Sequence, residues 1–148
     1  MLKECPGGST GGSFCFMDNS IQKYYPRVVI IVISQEDRPV ITECLNALLL
    51  LDYPAYEILI VDYHTVSPDW AGRSVLYPPV LIVQTPQRLG IASTRNFGMA
   101  QIKAIEVDYI FHLDNDLLLP QDCLKELVAS TKKYPDVALL APKIYQNN

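Results

Sequence analysis

The chain of 148 residues lacks an excess of basic charge: 12 Lys and Arg stand against 16 Asp and Glu, for a formal net charge of −4. Phosphate-backbone binding wants a basic surface, so nucleic acid is not expected as the main partner. Long hydrophobic runs are also missing. The longest, residues 28–33 and 47–51, fall far short of the roughly 20 residues that span a bilayer. No convincing secretory signal is present. Two of the four cysteines, Cys44 and Cys123, sit at helical apolar positions and read as small buried hydrophobes. Cys5 and Cys15 flank a Gly/Ser/Thr stretch. No two cysteines form a C-x-x-C pair, which argues against a zinc site. The cytoplasm is the expected compartment, and no disulfide between Cys5 and Cys15 is expected there. The G-x-G-x-x-G and G-x-x-x-x-G-K-S/T fingerprints are absent too, which lowers dehydrogenase and P-loop readings.

What is present is a globular balance, with 49% apolar and 19% charged residues, enough for one domain. Residues 1–26 hold four of the seven glycines and read as a flexible leader. From Arg27 onward the pattern is regular. Residues 28–33 form a continuous β-branched run, the mark of a strand buried on both faces. Pro39 suits a helix's first turn, and Val40, Cys44, Ala47 and Leu51 recur at helical spacing, which predicts a helix over 39–51. Strands are expected at 56–61, 80–83, 109–113 and, from residue 137, at 137–141. Helices are expected at 91–105 and 120–133. Alternating strands and helices predict an α/β fold with a mostly parallel sheet and helices on both faces.

In such a sheet, ligands bind beyond the carboxyl ends of the strands, and each end here is polar. The first leads into Ser34-Gln35-Glu36-Asp37-Arg38, the second ends in Asp62, and the third leads to Arg88 and Arg95. The fourth ends in Asp114-Asn115-Asp116. Two carboxylates two residues apart past a buried strand can approach one divalent cation, or divide between a cation and a sugar hydroxyl. Mg²⁺ and Mn²⁺ favour such oxygen ligands. A solvated turn is the competing reading for Asp116, and an Asx-turn for Asp62. Arg95, one turn into its helix, could pair with a diphosphate or be a plain surface residue. His112 shares strand parity with Asp114 and reads as a partly buried strand residue. His64 falls in a loop.

Together these residues resemble the family 2 glycosyltransferases, inverting enzymes with a GT-A fold, whose Rossmann-like half binds a nucleotide. The resemblance runs from Arg27 to the end of the chain. It rests on Asp37-Arg38-Pro39 after strand one and on Cys44-Leu45-Asn46-Ala47-Leu48 with Asp52-Tyr53-Pro54. Tyr56 through Asp62, Leu89-Gly90-Ile91-Ala92 with Arg95-Asn96-Phe97-Gly98, and Tyr109 through Asp116 with Pro120 complete it. It implies that residues 27–148 bind a nucleotide-diphosphate sugar carrying UDP, GDP or dTDP, with Asp37, Asp62, Arg95 and Asp114 as donor-binding residues. It implies a divalent cation, Mn²⁺ or Mg²⁺, on Asp116 with Asp114. It implies a saccharide or lipid-linked acceptor, and peripheral association of the full-length protein with the inner face of the membrane.

The sequence departs from the family pattern in three places. Ser34-Gln35-Glu36-Asp37 replaces the usual Pro-Thr-Tyr-Asn. Asp62-Tyr63-His64-Thr65 keeps only the first acid of the usual pair. Arg88 replaces an Asn. The acceptor half and its general base are expected beyond Asn148, so this chain reads as the donor-binding half. The competing function is a nucleotide-binding module without catalysis. A nucleotidyltransferase would want a Gly-rich loop after strand one, and a receiver-like domain an Asp after strand three. Neither is present.

Overall fold

The computed structural model describes residues 25–34, 38–63, 78–102 and 107–145. The leader expected at 1–26 lies outside these apart from Tyr25 and Pro26. Four strands form one parallel sheet: β1 (Val28–Ser34), β2 (Tyr56–Asp62), β3 (Val80–Gln84) and β4 (Tyr109–Asp114), in the order β3-β2-β1-β4. Three helices accompany them: α1 (Arg38–Leu48), α2 (Ile91–Gln101) and α3 (Cys123–Lys133). The expected α/β class with a parallel sheet is the one observed.

The unbroken apolar run places β1 at the centre, paired on both edges. Side chains alternate across a strand, so β1 serves two cores. Val28, Ile30 and Val32 join Ile58 and Ile60 of β2 against Ile41, Cys44, Leu45 and Leu48 of α1 and Leu124 and Val128 of α3. Val29 and Ile31 join Leu59 and Val61 on the other face, with Phe97 of α2 and Ile102 just past it. Each fully buried Val or Ile contributes roughly 1.5–3 kcal/mol, so the sheet's centre dominates the stability. Helices therefore lie on both faces, as the alternation of elements implied.

Several boundaries shift. α1 ends at Leu48 rather than residue 51. The chain tightens there through Leu50 N–H to Ala47 O (3.2 Å) and Leu51 N–H to Leu48 O (3.3 Å), and Leu51 stays buried. α3 begins at Cys123, because Pro120 to Asp122 form a turn closed by Cys123 N–H to Pro120 O at 3.1 Å. The expected continuation of α2 to 105 falls on residues 103–106, outside those described. The fifth strand expected at 137–141 does not form. These residues are apolar, but none of them enters the sheet, and Leu139 is 86% exposed. Only Val137 is β-branched in this Val-Ala-Leu-Leu-Ala run, and a strand also requires a neighbouring backbone to bond.

Three hydrogen bonds position the strand that leads to the paired carboxylates. The N–H groups of Asp108 and Tyr109 donate to Arg27 O at 3.0 and 3.1 Å, and Arg27 N–H donates to Asp108 Oδ2 at 2.7 Å. The start of β4 is thereby tied to the start of β1.

Candidate functional site

Because all four strands run the same way, their carboxyl ends meet at one edge. The register aligns Ser34 with Asp62, Asp62 with Gln84, and Ile33 with Asp114. Asp62 is buried to 7% exposure, and its carbonyl accepts from Thr85 N–H at 2.8 Å, which turns the chain away at the end of β3. Gln84, in register with Asp62, is a polar residue here that the sequence pattern does not single out. Its signal is register, which only the sheet supplies.

The two carboxylates after β4 part company. Asp114 has the strand parity of Ile110 and His112, on the face that α2 covers. The guanidinium of Arg95 donates from Nη2 to Asp114 Oδ1 at 2.8 Å. Their side chains are 37% and 57% exposed, so the pair is solvated and worth at most about 1 kcal/mol to stability. Its importance is positional, since it joins the first turns of α2 to the end of β4. Asp116 is exposed in the turn that follows, closed by Leu117 N–H to Asp114 O at 3.3 Å. Its charge is felt by Cys44 on α1. Burial first, and then Asp116, push the Cys44 thiol up to about 11. Cys44 is thus the inert buried thiol its spacing predicted, whereas Cys123 is only half-buried.

α2 opens at the same edge. Gly90 caps it in an extended conformation without a side-chain cap, and its carbonyl accepts from Thr94 N–H at 2.9 Å and Thr94 Oγ1 at 3.1 Å. The first-turn N–H groups bear the positive end of the helix dipole beside Arg95. His112 is exposed rather than partly buried. Partial desolvation, and then Arg95, hold its pKa below the ordinary value, against the opposing pull of Asp114. Asp37, His64, Cys5 and Cys15 lie outside the described residues.

Among the described residues no group of three His, Cys, Asp or Glu side chains is close enough to cage a metal ion. Asp114 is engaged by Arg95, whereas Asp116 is exposed in the turn that follows.

The sequence profile described as glycosyl transferase family 2 matches residues 28–148. The chain belongs to this family. No curated protein matches it. Among solved structures it is similar to S. aureus TarS residues 1–349, at 21% identity and a TM-score of 0.61, covering 74% of this chain and 33% of that one. The same TarS fragment in complex with UDP gives a TM-score of 0.63 at the same identity and coverage. Its complex with UDP-GlcNAc gives 0.61, with 32% of that chain covered. The family 2 chain thus shares the TarS fold and spans about a third of the length of these solved chains. No helix among the described residues is long and apolar enough to cross a membrane.

Proposed function

We propose that this chain forms the donor-binding part of an inverting, metal-assisted glycosyltransferase that moves a sugar from a nucleotide diphosphate to an acceptor hydroxyl. The observation that carries the reading is the convergence, at one sheet edge, of Asp62, the Arg95–Asp114 pair and Asp116. Asp62 is assigned to the nucleotide base, as a buried acceptor for a ring N–H. Asp114, oriented by Arg95, is assigned to the ribose. Arg95 and the first turn of α2 offer positive potential to the diphosphate, and Asp37, which follows β1 in sequence, is assigned to donor binding.

Asp116, with Asp114 behind it, would hold the divalent cation. That cation would neutralise charge growing on the leaving nucleoside diphosphate. Attack by the acceptor from the opposite face of the sugar requires a carboxylate base. The acids placed at this edge are assigned to the donor, so none of them is assigned that role. The acceptor is expected to be a saccharide or a lipid-linked saccharide, reached at the cytoplasmic membrane face.

The TarS fragment's complexes with UDP and UDP-GlcNAc make UDP the first nucleotide to test. Calorimetric titration of UDP, GDP and dTDP, each with and without Mn²⁺, is expected to show Mn²⁺-dependent binding of one of them, UDP first. Arg95→Ala should weaken it by about 10-fold, the scale of one charge-assisted hydrogen bond. A folded chain that binds none of the three would overturn the proposal.

A further inference from the structure

Glu57 lies at the opposite end of β2 from Asp62, and nothing in the donor site uses it. It is the second residue of the strand and is fully buried, at 0% exposure. Among the described residues neither carboxyl oxygen has a hydrogen-bond partner. Its strand parity is that of Leu59 and Val61. It therefore shares an apolar face with Val29, its register partner on β1, and with Ile102 and Val107 around the end of α2. On its other flank the chain leading into β3 presents Pro79, whose carbonyl accepts from Ile58 N–H at 2.9 Å. Among the described residues, the charge that acts on Glu57 is Arg27, just before β1. The Arg27 backbone N–H, at the root of that side chain, donates to the Asp108 carboxylate.

A carboxylate in such surroundings meets a large desolvation penalty with no hydrogen bond to offset it, whereas a neutral carboxyl group meets a much smaller one. We propose that Glu57 is a proton-controlled switch in the stability of this fold: neutral, it packs within the α2 face of the sheet, and ionised, it drives that face apart.

Burial dominates over the opposing charge of Arg27 and pushes the carboxyl up to about 7 from its ordinary 4.5. The folded chain then holds a proton, between these two values, that the unfolded chain has lost. Stability is full below about pH 4.5, falls as pH rises through 7, and levels off above. The switch therefore works across the neutral range, and it acts on the strand that ends in Asp62.

The test is urea unfolding of the wild type and Glu57→Gln at intervals from pH 5 to pH 8. The amide matches the carboxyl in size and cannot ionise, while His112 and the other titrating groups are common to both chains and cancel. Relative to Glu57→Gln, the wild-type folding constant is expected to drop on the order of 100-fold over this range. A gap between the two that is independent of pH would overturn the proposal. Glu57→Met serves the same comparison should the buried amide prevent folding. Infrared titration of the folded wild type, with Glu57 identified by difference from Glu57→Gln, supplies a second readout. A protonated-carboxyl band persisting to near neutrality is expected, and one lost below pH 5 would equally overturn it.

Discussion

Asp116→Ala is expected to abolish the Mn²⁺-dependent part of nucleotide binding while leaving the melting temperature within about a degree of the wild type. Asp116 is exposed and belongs to a turn, and substitutions at such positions usually change stability by less than about 0.5 kcal/mol. Its loss from the donor edge is another matter. Mg²⁺-type ions rely on one or two carboxylates and complete their shell with phosphate and water. Asp114, its supporting carboxylate, is also held by Arg95 at 2.8 Å, so it is not expected to hold the cation alone. Losing one charge-assisted interaction of about 3 kcal/mol corresponds to roughly 100-fold in affinity. Calorimetry with and without Mn²⁺ reads this directly. The two titrations should coincide for Asp116→Ala and differ for the wild type. Persisting metal dependence in the variant would move the cation to another residue.

Gly98→Val is expected to have the largest effect on stability, about 3 kcal/mol in urea unfolding and roughly 10 °C in melting temperature. Gly98 is buried on the side of α2 that lies on the sheet. A Cβ built there meets Val61 Cγ2 at 2.8 Å and Ile31 Cγ2 at 3.1 Å. Both neighbours are fully buried in the central strands and cannot retreat. Ala in place of Gly gains about 1 kcal/mol of helix propensity, which offsets part of the overpacking. Gly98→Ala should therefore cost only about 1 kcal/mol. Valine adds two methyl groups in the same direction and leaves the helix no choice but to lift. Arg95 lies one turn earlier on α2, so lifting the helix also pulls its guanidinium away from Asp114. Nucleotide affinity should fall with stability in Gly98→Val and follow Arg95→Ala in size. Unchanged affinity in a destabilised Gly98→Val would show that α2 does not position the donor site.

Legibility followed the reach of each interaction. The run at 28–33 announced a doubly buried strand because burial on both faces leaves no polar position to interrupt it, and β1 is that strand. The edge residues Asp62 and Asp114 were legible for a topological reason, since parallel strands bring their carboxyl ends together whatever lies between them. The segment at 137–141 is apolar but forms no strand, because apolar character alone does not specify extended backbone and pairing depends on a neighbour the local sequence does not name. His112 was misjudged for a related reason. Its strand parity was correct, but α2 packs on β1 and β2 and leaves the outer flank of β4 open.

By itself the sequence determined the class of fold, the polar edge and the family, because these rest on periodicity, burial pattern and ordered local motifs. Only the tertiary structure decided that Arg95 grips Asp114 and leaves Asp116 apart, that Gly98 packs closely on the sheet, and that Glu57 is fully buried with no hydrogen-bond partner among the described residues. Each of these depends on distances between residues remote in the chain, set by how helices seat on a twisted sheet, and no spacing along the sequence encodes them.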